Sequence, residues 1–127
     1  MDGVQHGVGM QGVIGQIARY MDLLSARQQL VISNLANIDT PGYRSKDIDF
    51  QAELRKSIQG EGPQATFQPV AHALDTPDLV TKSDGNNVSL DRETRLLAEN
   101  ALRFSVASTL MKAQLKTIES AIKEGPA

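Results

Sequence analysis

Apolar residues recur along the first third of the chain in steps that alternate between three and four residues. This spacing is typical of the a/d seam of a coiled-coil helix and is kept for about 3.5 heptads, whereas a single amphipathic helix on a globular core is the alternative. Gln28 occupies one seam position, where a polar side chain often fixes helix register or partner number. The pattern predicts a coiled-coil helix over residues 13–38, with its seam at Ile14, Ile17, Met21, Leu24, Val31, Leu35 and Ile38.

The remaining faces of this helix carry little charge. Between Val13 and Ile38 the charged side chains are Arg19, Asp22 and Arg27. Uncharged polar side chains enter an interface without the large desolvation cost of a buried ion. The first helix is therefore expected to contact partners on more than one side, the alternative being a quiet surface in a monomer.

The C-terminal part repeats the same spacing. Ser89 or Asp91 can cap the start of a helix, and Gly125 with Pro126 marks its end. The pattern predicts a second coiled-coil helix over residues 90–123, with Ser108 as its polar seam position. The apolar seam positions are Leu97, Ala101, Phe104, Met111, Leu115, Ile118 and Ile122.

The segment between the helices, residues 39–89, is short and broken by glycine and proline. Pro41 and Gly42 suit the two central positions of a type II turn. A short helix is indicated over residues 49–58, short strands are weakly indicated over 66–70 and 78–82, and residues 84–87 are typical of a turn. The predicted fold is mainly α, with the two long terminal helices forming a coiled-coil hairpin and a short irregular middle that has room for a small β-hairpin.

Composition argues against several functions. The 127 residues carry a net charge of −2 with no basic cluster, which disfavours nucleic acid as a partner. No cysteine is present, and His6 and His72 are far apart, so no metal or cofactor site is predicted. Asp47 and Asp49 are interpreted as solvated or capping residues. No catalytic constellation or small-molecule substrate site is indicated, so the chain is not expected to be an enzyme.

The termini bear on where the protein acts. No run approaches the roughly 18 apolar residues of a transmembrane span. Residues 1–12 contain four glycines and lack the basic and apolar regions of a cleavable signal peptide. They are expected to form a disordered tail.

Two motifs resemble those of the flagellar basal-body rod, hook and hook-associated axial proteins. The first consists of Asn34, Leu35, Ala36 and Asn37, followed by Thr40, Pro41, Gly42 and Tyr43. The second is similar to the family's C-terminal motif and comprises Glu93, Asn100 and Phe104, with phenylalanine where tyrosine is common. Because fewer than fifty residues separate Tyr43 from Leu90, the chain resembles proximal rod proteins. Residues 46–50, together with Asp84, Gly85 and Asn86, are similar to the B type, with the C and F types as near alternatives.

This resemblance implies a structural subunit of the proximal rod of the bacterial flagellar basal body that assembles helically through its terminal helices. It implies export through the flagellar type III apparatus without a cleaved signal peptide, to a periplasmic position. The implied partners are copies of the chain, other rod proteins, the rod-base adaptor and the membrane-ring protein. A soluble α-helical adaptor or export-linked binding protein is the alternative function.

Overall fold

The computed structural model describes residues 10–59 and 73–125 as a long antiparallel helical hairpin with a small mixed layer on one side. In chain order the elements are helix α1 (Met10–Ala36), strand β1 (Lys46–Asp47), helix α2 (Phe50–Ile58), strand β2 (Leu74–Asp75) and helix α3 (Leu90–Lys123). The predicted mainly helical fold is confirmed, including a small antiparallel sheet in the middle. Among these helices, none has the length and apolar character needed to cross a bilayer.

The helix boundaries follow from local capping chemistry. The Asp49 carboxylate accepts a hydrogen bond from the Ala52 amide at 3.1 Å at the start of α2. The Ser89 hydroxyl accepts one from the Arg92 amide at 3.2 Å at the start of α3. Such N-caps satisfy amides that have no partner within the first turn of a helix.

Helix α1 covers residues 10–36, whereas the sequence predicted a helix over residues 13–38. Residues 10–12, assigned to the tail, thus belong to α1, and the rest of the expected disordered tail lies outside the described residues.

The sheet consists of two antiparallel pairs, Lys46 with Asp75 and Asp47 with Leu74. Its strands flank α2 and the 60–72 segment, so they are not the two strands indicated at 66–70 and 78–82. The first of those ranges lies outside the described residues, and 78–82 forms no strand. Two-residue strands carry no alternating pattern, which is why the sequence did not indicate β1 and β2.

The core forms where α2 and β1 pack on the middle of α1. Its buried members include Leu23, Leu24, Leu30, Ile48 and Phe50. The Tyr20 ring meets the Phe50 ring edge-on at 5.9 Å. Helix α1 is therefore covered on two adjacent sides. One side faces α3 and the other is covered by α2, so the buried surface is wider than a single coiled-coil seam.

Candidate assembly site

The amide of Asn34 joins the two terminal motifs at the closed end of the hairpin. Its nitrogen donates to the Lys46 carbonyl at 2.8 Å and to a carboxylate oxygen of Glu93 at 2.5 Å. Its oxygen accepts from the Tyr43 hydroxyl and from the Lys46 amide, both at 3.1 Å. An asparagine side chain has two donors and two acceptor lone pairs, so this fully buried residue uses its whole capacity. The Asn34 side chain thus holds α1 against both β1 and α3.

The turn after α1 has the conformation expected from its sequence. The Tyr43 amide donates to the Thr40 carbonyl at 3.2 Å, and Gly42 has a φ of 76°. A positive φ at the third turn position is the mark of a type II turn and favours glycine. Within the motif, Thr40, Pro41 and Gly42 are exposed, while Asn37 and Tyr43 are half-buried. The exposed tip of the hairpin is thus held in one defined shape.

A second loop, residues 84–87, clamps this turn from across the chain. The Asn86 side-chain nitrogen donates to the carbonyls of Asn37 at 2.9 Å and Thr40 at 2.8 Å. The Gly42 amide donates to the Asp84 carbonyl at 2.9 Å. Asn86 is fully buried, so the turn is held by hydrogen bonds from a side chain more than forty residues away in sequence.

Close approach of two glycines makes this clamp tight. A Cβ built on Gly85 would lie 3.3 Å from the Gly42 Cα, and Gly85 itself has a φ of 89°. Next to it, the Asn87 side-chain oxygen accepts from the Ser45 amide at 2.6 Å. Residues 84–87 were predicted as a turn, and their role in holding the motif is an addition from the structure.

A chain of charged side chains continues from Glu93 toward α1. Arg27 binds both carboxylate oxygens of Asp47, at 3.1 and 2.8 Å. Arg92 donates to Asp47 at 2.5 Å and to Glu93 at 3.0 Å. The interpretation of Asp47 as solvated or capping was wrong: its side chain is 12% exposed and lies between two arginines. This network ties the β1 strand to both long helices.

The environment of Asp47 shifts its acidity in a predictable direction. Burial raises the pKa of the carboxyl, but hydrogen bonds and charge from Arg27, with a further bond from Arg92, outweigh burial and hold that pKa below its ordinary value. A lowered folded-state pKa stabilises the fold above the unfolded pKa of about 3.9, and this contribution is lost as pH falls through the folded value.

Replacing Asp47 by asparagine should lower the free energy of unfolding by about 2 kcal/mol at pH 7, because the partly buried Arg27 loses its counter-ion and Arg92 is left with Glu93 alone. The deficit relative to the unsubstituted protein should shrink as the pH falls below about 4. Urea unfolding at a series of pH values measures both effects. Asp75→Asn is the matched control, since Asp75 pairs with Lys46 at the surface and its loss should have little effect. A deficit that stays constant down to pH 2 would contradict the role given to the ionised carboxylate.

The predicted seam of α1 is partly filled within the chain. Leu24 and Val31 are buried. The other seam positions are half-buried, namely Ile14, Ile17, Met21, Gln28, Leu35 and Ile38. The Asn100 amide donates to Gln28 at 3.2 Å, so the polar seam position of α1 meets a polar residue of the second motif. This pair, like Asn34 with Glu93, sets the register of α3 along α1.

The predicted seam of α3 is only partly covered within the chain. The residues that α3 buries are Glu93, Leu96, Asn100 and Ala107. Among the seam positions Leu97, Ser108, Met111 and Ile118 are half-buried, while Ala101, Phe104, Leu115 and Ile122 are exposed. The hairpin therefore leaves this seam incompletely covered: Ala101 and Phe104 line a groove with α1, and Leu115 and Ile122 are each more than half exposed.

The residues that sequence reasoning missed are those whose partners are distant in the chain. One feature of the sequence could have indicated such partners: Arg19 and Arg27 are two of the three charged residues in an otherwise charge-poor helix. Each serves another element, since Arg19 donates to the Ser57 carbonyl at the end of α2 at 3.2 Å and Arg27 binds Asp47. Within residues 10–59 and 73–125, no cluster of three or more histidine, cysteine or acidic side chains could hold a metal ion.

Comparison with known proteins connects this geometry to a family. The chain is 31% identical over 122 residues to the flagellar basal body rod protein FlgB of Yersinia enterocolitica, covering 83% of this chain and 89% of that protein. It is 32% identical over 126 residues to FlgB of Salmonella typhimurium, covering 83% and 88% of the two chains. FlgB of Borrelia hermsii is 28% identical over 123 residues, covering 83% and 91%. No protein-family model matches the chain.

Proposed function

The chain belongs to the family of the flagellar basal body rod protein FlgB, and we propose that it is a structural subunit of the proximal rod that assembles helically through its terminal helices. The relatives are named as rod proteins of the flagellar basal body, which supports a structural role. No comparison favours the alternative of a helical adaptor.

The observation that carries the assembly mechanism is the apolar stripe of α3, which remains exposed in the part of the chain that the structure describes. Ala101, Phe104, Leu115 and Ile122 recur at heptad spacing on a rigid helix and remain exposed. A contiguous apolar surface on an isolated subunit is typical of a protein interaction site. In the rod this stripe would pack against helices of neighbouring subunits, as the seam of a multi-helix coiled coil does.

The closed end of the hairpin would act as a fixed tip during this packing. Residues 40–42 of the turn are exposed, yet hydrogen bonds from Asn86 to Thr40 and from Tyr43 to Asn34 hold the turn in place. A preordered tip loses little conformational entropy on binding. We assign to the motif residues Asn34, Asn37 and Tyr43 the role of shaping this tip and to Thr40, Pro41 and Gly42 the role of touching a neighbour.

The partners follow from the position in the rod. Copies of this chain and other rod proteins would contact the helices, while the rod-base adaptor and the membrane-ring protein would contact the subunit from the membrane side. The chain would reach the periplasm through the type III export apparatus without a cleaved signal peptide.

Electron microscopy of purified basal bodies tests the function. Antibodies raised against the chain and coupled to gold should label the rod at its membrane-proximal base, and a strain that lacks the chain should show neither label nor swimming. Label confined to the cytoplasm in cells that swim normally would overturn the assignment.

A further inference from the structure

Helix α3 presents two unlike apolar surfaces on opposite flanks. Ala107 is buried against α1, and each residue of a helix is rotated by about 100° from the previous one. Val106 and Ser108 therefore lie on opposite sides of the line where α3 meets α1. Leu115 lies seven residues after Ser108 and so shares the Ser108 flank.

The Val106 flank forms a groove with α1 and α2, here called the flank groove. It has a volume of about 430 Å³. Arg103 is the charged member of its lining, and the larger apolar members are Ile17, Tyr20, Leu54, Leu102, Val106 and Leu110. Leu102, Val106 and Leu110 are each more than half exposed and succeed one another every four residues, so they form a continuous apolar wall.

The other flank ends in a projecting stripe, here called the terminal stripe, formed by Leu115, Ile118 and Ile122. Helix α3 has 34 residues and α1 has 27, which makes α3 about 10 Å longer. The Asn34–Glu93 and Gln28–Asn100 pairs set an antiparallel register in which the start of α1 lies level with about residue 117 of α3. The end of α3 that carries Ile118 and Ile122 thus extends beyond α1, while Leu115 lies level with the first turn of α1; Leu115 is 51% and Ile122 is 75% exposed.

The two surfaces suit one another in shape and charge. Apolar residues at positions i, i+3 and i+7 are the usual anchors of a helix that lies in an apolar groove. Glu119 lies beside the terminal stripe, in a surface ion pair with Lys123 at 2.9 Å that exchanges partners at little cost. It can pair instead with Arg103 at the edge of the flank groove.

We propose that the terminal stripe of one copy of this chain packs into the flank groove of a second copy. In this arrangement each subunit offers its groove to one neighbour and its stripe to another, so the contact is heterologous. A heterologous contact extends an assembly in one direction, whereas a two-fold contact would close it as a dimer. The proposal rests on the rod function given above and adds the pair of surfaces through which copies meet.

Thiol cross-linking tests the pairing, and the absence of native cysteine makes the result specific. Leu115→Cys marks the stripe and Val106→Cys marks the groove. A short bis-maleimide should join a mixture of the two single variants at least fivefold more efficiently than either variant alone. The double variant should give a ladder of multimers. Val80→Cys is the control, because Val80 is 87% exposed on a loop away from both surfaces.

Efficient self-linking of Leu115→Cys alone, or a double variant whose product stops at the dimer, would indicate a two-fold contact and overturn the proposal. The same reaction in isolated basal bodies tests the stripe–groove contact and the rod function separately. If gold-labelled rods contain the double variant but yield no product that links position 115 of one copy to position 106 of another, this contact is rejected and the rod function is left intact. Basal bodies that lack the chain altogether would reject the rod function itself.

Discussion

Replacing Asn34 by aspartate should lower the free energy of unfolding of the isolated protein by about 4 kcal/mol. The two side chains have the same shape, but aspartate has no donors for the Lys46 carbonyl and the Glu93 carboxylate. It would instead place a second negative charge against Glu93 at a site with no exposure to solvent. For a chain of this size, the loss corresponds to a fall of roughly 15 °C in Tm, which circular dichroism would measure.

The matched control is Asn37→Asp in the same motif. Asn37 bonds locally to Ser33 and Thr40 near the surface, so its loss should cost about 1 kcal/mol or less. A Glu93→Gln change in the Asn34→Asp background should recover part of the stability, because it removes one of the two facing charges. Equal losses for Asn34→Asp and Asn37→Asp would show that the buried amide is not what joins α1 to α3.

Replacing Leu115 by aspartate should leave the fold intact and abolish incorporation into the rod. Half of the Leu115 side chain is exposed in the isolated subunit, so its Tm should change by less than about 2 °C. In an assembled rod the same position would be buried, and a charge there would cost several kcal/mol for each subunit. Motility on soft agar and immunoblots of purified basal bodies measure the outcome.

Two further variants show whether Leu115→Asp acts through assembly. Leu24→Asp places a charge in the core, where Leu24 is 1% exposed, and should prevent folding altogether. Val80→Asp changes an exposed apolar residue of the loop and should leave both folding and swimming unchanged. If cells with Leu115→Asp swim normally and incorporate the protein, the exposed stripe of α3 has no part in the rod.

The long helices could be predicted from the sequence because their signals are local. Heptad spacing, the Ser89 cap and the Gly125 end all act within one or two turns of the residues that they order. The type II turn is local in the same sense, since Pro41 and Gly42 each restrict or permit their own backbone angles.

The contacts that shape the motif could not be predicted, because their partners are set by the tertiary fold. The interpretation of Asp47 as solvated or capping assumed an extended stretch in which Asp47 lies opposite Ile48, on the solvent side. In the structure β1 has only two residues before the Asp49 cap, and Arg27 and Arg92 close over the Asp47 carboxylate from both helices. Likewise, the sequence of residues 84–87 predicts a turn, but it does not predict that the Asn86 side chain binds the carbonyls of Asn37 and Thr40. The exposure of Leu115 and Ile122 depended on the register of α3 along α1, which Gln28 and Asn100 set across 72 positions of sequence.

The Asn86 clamp also dictates an order of folding. Asn86 reaches back 46 and 49 residues to Thr40 and Asn37, and Glu93 reaches back 59 to Asn34. Contacts of such separation form only after the intervening loop has closed, which makes them late and slow events. A chain that enters a compartment from its N-terminus therefore cannot complete the hairpin tip until residues 84–93 have followed. The subunit becomes competent to join a neighbour only when nearly all of it has arrived.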